Sequence, residues 1–280
     1  MIYSGDTQLS KAYIGTTQVL KVYQGNTQLY SAYTWDSDAL SLINRMSTQP
    51  SDALKVLIND TITSLKTAGV WNKLDCLYFR NVHTSQAACL NWVRDAHNST
   101  LVNSPTFIAK QGIRCAAGKY IRNDYKPSID GSNFQIRNSS VLFLNYQLNT
   151  IYAAYEMFGD ASSPANRIYL TNYLTSTRYY YCNSSSYAPI GILEANKVYG
   201  AGVQTDVGSD YIYTYVDGIQ YAAPRYATQS ASTPNLDFLE SYGTNATRSF
   251  SMLASKLTPE EHLAVSDIVH YFCDNVAATF

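Results

Sequence analysis

The residues best placed to do chemistry by contact are two runs of tyrosine. Tyr211, Tyr213 and Tyr215 alternate along a stretch of β-forming residues, so in a strand they share one face while Ile212, Thr214 and Val216 share the other. A ladder of this kind offers rigid apolar area with polar tips, on which a sugar ring stacks. It serves equally as cross-strand packing beneath another sheet. In Arg178-Tyr179-Tyr180-Tyr181 the alternation puts Arg178 and Tyr180 on one face. A cation beside a ring suits sugar or protein contact, and packing is again the other reading. Arg178, Tyr180, Tyr211, Tyr213 and Tyr215 are therefore the candidate ligand-binding residues.

Other chemistries find less support. Asp206, Asp210 and Asp217 with Asn183 supply oxygens for calcium, but their spacing matches no compact calcium loop. His262 and His270 stand eight apart rather than four, a poor metal pair, and read as surface or packing histidines. The five cysteines are scattered, odd in number and lack Cys-x-x-Cys spacing, which argues against a disulfide framework or zinc site and for a reducing compartment. No metal and no cofactor is expected. A sandwich glycosidase needs two carboxylates about 5–10 Å apart. Here Glu156, Asp160 and Glu194 stand singly, and Glu260-Glu261 reads as a helix cap. No Gly-x-Ser-x-Gly elbow, phosphate-binding loop or His-Glu-x-x-His motif occurs, and no catalytic residue is assigned.

Composition narrows the class. Over 280 residues the charged fraction is 15% and the net charge −1, so no electrostatic footprint for nucleic acid or an anionic membrane exists. The 25 tyrosines, with abundant Ser, Thr and Asn, favour β structure with hydrogen-bonding faces. No apolar run approaches membrane-spanning length, and membrane insertion is not expected. No leader pattern precedes the repeats, so the Asn-x-Ser/Thr triplets at Asn59, Asn98, Asn138, Asn183 and Asn245 carry no glycosylation reading.

Positioning begins at the N-terminus, where Tyr3, Tyr13, Tyr23 and Tyr33 recur every ten residues, with Gly5, Gly15 and Gly25 and the Thr-Gln pairs at 7–8, 17–18 and 27–28. Ten residues suit a strand and a tight turn, which predicts a β-meander over residues 1–34. Three-residue loops would set Tyr13 opposite Val19 and gather the apolar residues on one face; two-residue loops would set Tyr13 opposite Gln18. A buried face selects the first register. The predicted assembly surface is then Tyr3, Leu9, Tyr13, Val19, Tyr23, Leu29 and Tyr33, because so small a sheet is marginal alone.

Residues 35–69 change to helical periodicity. Asp36 caps one helix carrying Ala39, Leu40, Ile43 and Met46, and Ser51 caps a second carrying Leu54, Leu57, Ile58, Ile62 and Leu65, ended by Gly69. This pair is read as a connector. Residues 70–280 are mainly β: runs at 141–148, 167–174 and 211–216 read as strands, and Asp217-Gly218 is a hairpin turn signal. Thr258-Pro259-Glu260-Glu261 then opens a terminal helix with Val265, Ile268, Val269 and Phe272 on one stripe. The fold class expected is a mainly β chain with a sandwich and a terminal helix.

The run from Gly69 to Tyr78, His83-Thr84-Ser85-Gln86-Ala87-Ala88, Leu90-Asn91-Trp92 and Ser104-Pro105-Thr106-Phe107 resembles a recurrent segment of bacteriophage virion proteins of the tail and receptor-binding kind. The N-terminal decapeptides also resemble repeats of phage tail proteins. The resemblance implies a concanavalin-like or laminin-G-like jelly roll, motifs that are structural rather than catalytic, and a place in the virion after synthesis in the host cytoplasm. It further implies partners: other virion proteins, a host cell-surface glycan, and further copies of the chain, with a trimer as the analogy. Arg114-Cys115-Ala116-Ala117 departs from the group's pattern after Gln111-Gly112-Ile113. The alternatives are a glycan depolymerase using the sandwich and an architectural subunit with no ligand.

Overall fold

The computed structural model describes residues 3–4, 7–8, 12–14, 17–19, 21–24, 27–31, 34–116, 118–135, 138–147, 156–158, 168–171, 178–182, 187–191, 194–206, 209–226, 239–240 and 246–279. The repeats form three antiparallel hairpins: β1 (Tyr3–Ser4) with β2 (Thr7–Gln8), β3 (Ala12–Ile14) with β4 (Thr17–Val19), and β5 (Lys21–Gln24) with β6 (Thr27–Ser31). Among the described residues each is a two-stranded sheet of its own rather than part of a continuous meander.

Two helices follow, α1 (Ser37–Asn44) and α2 (Asp52–Thr67). Then come β7 (Leu74–Phe79), α3 (Ser85–Cys89), β8 (Thr100–Val102), β9 (Thr106–Ile108), β10 (Gly112–Arg114), β11 (Tyr120–Arg122), α4 (Pro127–Asp130) and β12 (Ser139–Gln147). The chain continues through β13 (Glu156–Phe158), β14 (Ile168–Thr171), β15 (Arg178–Cys182), β16 (Tyr187–Gly191), β17 (Val198–Asp206), β18 (Ser209–Val216), β19 (Ile219–Gln220), β20 (Arg225–Tyr226), β21 (Leu239–Glu240), β22 (Thr247–Ser255) and α5 (Pro259–Val276).

Nine of these strands build one antiparallel sheet in the order β19-β18-β17-β12-β22-β10-β9, with β7 also on β22 and β20 also on β18. Strand β22 is its spine, paired with β12 along one edge and with β7 and then β10 along the other. Alternation sorts the side chains into two cores. Leu77, Phe79, Leu142, Leu144, Val198, Phe250, Met252 and Ala254 enter one cluster. Cys76, Tyr78, Val141, Phe143, Tyr199, Ala201 and Leu253 enter the other. Both faces are therefore covered, and β7 and β22 are buried almost throughout.

The first face carries α1, α2 and α5. Phe79 is its centre, with ring centroids 4.6 Å from Trp92, 5.1 Å from Phe250 and 4.3 Å from Phe272 of α5. The second face meets Tyr125, Phe134 and Ala188. There the four-stranded sheet β13-β14-β15-β16 closes a sandwich, and Thr214 donates its hydroxyl to the Pro189 carbonyl at 2.6 Å.

The helices at 37–67 were expected as a connector. Instead Ala39, Leu42, Ile43, Leu54, Ile58, Ile62 and Leu65 share one buried cluster with the sheet, so they form a layer of the same domain. On α1 it is Leu42 that is buried and Leu40 that is 42% exposed, since the side of the helix facing the sheet begins at Ala39 and continues through Leu42 and Ile43. The α2 face is as expected. Its end is a Schellman motif: the Gly69 N–H bonds the Lys66 carbonyl, the Val70 N–H bonds the Leu65 carbonyl, and Gly69 has φ +72°. Thr258 and Glu261 close a capping box on α5, and its stripe of Val265, Val269, Phe272 and Val276 is fully buried.

Candidate assembly and ligand-binding sites

The repeat hairpins take a register opposite to the one that gathers apolar residues. Tyr3 pairs with Gln8, Tyr13 with Gln18 and Tyr23 with Gln28, so each loop has two residues. Val19 stands opposite Ala12, not Tyr13. Turn chemistry explains the outcome, since a Gly-x dipeptide between strands is the signature of a two-residue hairpin loop whose twist matches the strands. Leu29 falls at an irregularity where Val22 pairs with Tyr30 and Tyr23 with Gln28. Leu9 and Tyr33 lie outside the described residues. The same Tyr–Gln pairing thus recurs three times, as the repeat period implies, with the two-residue loop rather than the apolar face setting the register.

The tyrosine ladder on β18 alternates as predicted, with Ile212 and Thr214 buried on the opposite face. It is not a continuous open platform. Tyr215 is 1% exposed and lies under α5, its ring stacked on His262 at 3.8 Å and 13°. Burial first, with the nearby Tyr213 second, pushes its hydroxyl up to about 12. Tyr211 and Tyr213 are half-buried. On the neighbouring strand, Gly202 pairs with Tyr213 and Gly200 with Tyr215, and Gly200 is a close neighbour of the His262 ring. The covering helix was missed because it comes from more than forty residues away in sequence. Arg178 and Tyr180 are placed by backbone pairing on β15, opposite Gly191 and Ala188. They belong to a different sheet from the β18 ladder, so the two tyrosine runs are not neighbours on one strand pair.

Of the oxygens considered for calcium, Asp217 is already engaged. It accepts from the Val198 N–H at 2.9 Å and contacts His270 Nε2 at 2.9 Å. Asn183 lies outside the described residues. Among the described residues no cluster of three or more His, Cys, Asp or Glu is placed to hold a metal ion, and no helix is long and apolar enough to cross a membrane.

A densely bonded polar site lies elsewhere, around a residue that neither tyrosine run contains. Asp75 is fully buried within the apolar run of β7. Its Oδ2 accepts the backbone N–H groups of Ser132, Asn133 and Phe134 at 3.1, 2.9 and 2.7 Å and the Tyr125 hydroxyl at 2.8 Å. Arg94 pairs with Oδ1 at 3.2 Å. Burial, and after it the Asp75 charge, drives the Tyr125 hydroxyl well above its ordinary value, which keeps it a donor. Beside it Asn91 accepts from the Leu77 and Val93 N–H groups and donates to the Asp75 and Ala96 carbonyls. The sequence signal of the site is a charged residue inside an otherwise apolar strand run, because such a residue persists only in a satisfied network.

The motif residues that suggested virion proteins do structural work. Thr84 caps α3, His83 Nε2 contacts the Thr48 carbonyl at 2.8 Å, and Gln86 donates to the Arg45 carbonyl while accepting from the Ser47 N–H. Together they staple the segment after α1 onto the sheet layer. At the root of the repeats, Asp36 caps α1, donates its N–H to Asn59 and pairs with Lys66, which also holds Asp38 at 2.6 Å. Burial works against both charges, but the mutual hydrogen bonds prevail, holding Asp36 below the usual carboxylate range and Lys66 above its own. Asp38 also accepts from the Trp71 indole, and Lys66, Trp71, Gly69 and Asn72 line a shallow cavity there.

No family model matches the chain, and no curated protein matches it. Solved structures show weak likenesses. A Trypanosoma rangeli sialidase in complex with the inhibitor DANA is 11% identical with a TM-score of 0.49, over 75% of this chain and 38% of that one. Domain 4 of AbnA, a GH43 extracellular arabinanase from Geobacillus stearothermophilus, in complex with arabinotriose, is 15% identical with a TM-score of 0.43, over 69% and 98%. The botulinum neurotoxin serotype D binding domain is 12% identical with a TM-score of 0.39, over 71% and 52%. The chain spans 38–39% of the length of the sialidases.

Proposed function

We propose that the chain is a structural component of a bacteriophage virion that assembles through its N-terminal repeats and displays its sandwich domain for adhesion to a host-surface glycan. One observation carries the reading. Three consecutive decapeptides adopt one pairing, Tyr opposite Gln, and each hairpin is a two-stranded sheet unattached to the large sheet among the described residues. A lone hairpin is marginal in water, so three that share the Tyr–Gln pairing are elements that gain stability from neighbours, in other copies or in another virion protein. The domain that follows holds its own core from residue 39 onward, which suits an independently folded display unit. Adhesion would then be multivalent, weak sites on several copies adding through effective concentration.

Light scattering on the full chain and on a chain lacking residues 1–34 tests the assembly half. The expected result is a defined oligomer for the first and a folded monomer for the second. If both are monomers, the repeats do not assemble copies of this chain and the homo-oligomer is wrong. A glycan array probed with the full chain tests the adhesion half, and an absence of any binding at high valency would favour a purely architectural subunit.

A further inference from the structure

His262 is the one histidine that the packing hides completely. It sits in the first turns of α5 at 1% exposure, in a helix whose inward stripe closes the first core. From β18 the Tyr215 ring stacks on it at 3.8 Å. From β12 the Ser140 hydroxyl lies 3.5 Å from Nε2 and itself accepts the Leu257 N–H at 3.0 Å. From β17 the backbone at Gly200 approaches so closely that a Cβ there would stand 3.1 Å from Nδ1. Nδ1 is buried and has no hydrogen-bond partner. The imidazole therefore fits this slot only as the neutral ring, with Nε2 the one ring nitrogen that meets a partner. An imidazolium would need a second acceptor, and the slot provides none.

We propose that α5 is an acid-sensitive clasp on the sheet, loosened when His262 leaves its stack on Tyr215 and takes up a proton in the open state. The charged groups around it do not cancel this. Glu260 and Glu261 are in the same first turn. Glu261 is taken by Lys73 at 2.6 Å and by the Thr258 cap, and Glu260 is exposed and held below its ordinary value by hydrogen bonds to its own backbone and Thr258. Two turns further on, His270 Nε2 meets the Asp217 carboxylate at 2.9 Å and ties α5 to the β18–β19 turn, away from the His262 slot. Burial alone depresses the His262 ring to about 3 in the closed helix, against 6.5 when exposed.

Between those two values the open state binds a proton that the closed state does not, so closure is fully favoured above about pH 6.5 and is lost as the pH falls. One proton gives about a tenfold rise in opening per pH unit. From pH 6.5 to pH 5, above the range in which the carboxylates titrate, hydrogen exchange of the α5 amides, corrected for intrinsic rates, should accelerate about 16-fold, the pH 6.5 state being already half protonated when open. Exchange is compared in the full chain, in His262→Phe, which keeps a stacked ring without a titrating nitrogen, and in His270→Asn. The expected outcome is a steep profile for the parent and for His270→Asn and a flat one for His262→Phe. An unchanged slope in His262→Phe overturns the proposal. Should that variant fail to fold, NMR of the parent's His262 ring decides: a neutral ring throughout the window supports the clasp, and titration near 6.5 in the closed protein refutes it.

Discussion

At the scale of single residues, the charge buried in β7 does more to organise the domain than any aromatic platform. Asp75 gathers three backbone N–H groups, the Tyr125 hydroxyl and the Arg94 guanidinium, and so fixes the 125–134 loop over the second face of the sheet. Asp75→Ala strands all of these donors in a buried site and is expected to cost about 3–5 kcal/mol. Tyr125→Phe removes one donor from a carboxylate that keeps the others, and should cost about 1–2 kcal/mol. Urea unfolding monitored by circular dichroism reads both, and near-equal losses would mean that the hub is not centred on Asp75. The sequence announces such a site only through a lone acid in Leu74-Asp75-Cys76-Leu77-Tyr78-Phe79, because its partners lie 19 to 59 residues away. Tyr215 makes the same point in reverse: its face was legible from alternation, while the His262 that covers it was not.

Among the elements, those whose determinants are local were legible. The Asp36, Ser51 and Thr258 caps, the glycine ending α2 and the Asp217-Gly218 turn each involve groups within about one helical turn or one hairpin loop, so residue type decides them. The repeat register was not legible by the same logic, since two local preferences competed and the Gly-x turn prevailed over gathering apolar residues on one face. Gly69 and Gly218 allow the local and non-local contributions to be separated. Both have positive φ, +72° and +76°. Nothing lies within 4 Å of a Cβ built on Gly69, whereas one on Gly218 would overlap the Leu263 backbone of α5. Gly69→Ala should cost about 1 kcal/mol, the left-handed strain alone. Gly218→Ala should cost about 3 kcal/mol or more, because it also pushes the turn off the helix. Thermal unfolding of the pair measures the difference, and equal shifts would show that the turn yields without disturbing α5.

For the whole molecule the question is where the domain begins. A change from helical to strand periodicity near residue 70 reads as a boundary, yet periodicity reports each element's own geometry and says nothing of what the element packs against. The structure joins the two sides. Leu54, Ile58, Ile62 and Leu65 of α2 lie in one cluster with Phe79, Phe250 and Phe272, and Gln86 and His83 reach back across the proposed boundary to residues 45–48. Removing α1 and α2 would uncover the helix-bearing face of the sheet, a loss of several buried side chains at about 1.5–3 kcal/mol each, more than the net stability of an ordinary domain. A fragment of residues 35–280 is therefore expected to unfold in a single cooperative transition with sharp near-ultraviolet circular dichroism. A fragment of residues 70–280 is expected to lose that dichroism and bind hydrophobic dye, or to be insoluble. If the shorter fragment instead folds cooperatively at similar stability, the helices are a removable connector, and the clamp of Lys66 on Asp36 and Asp38 contributes nothing to the sandwich.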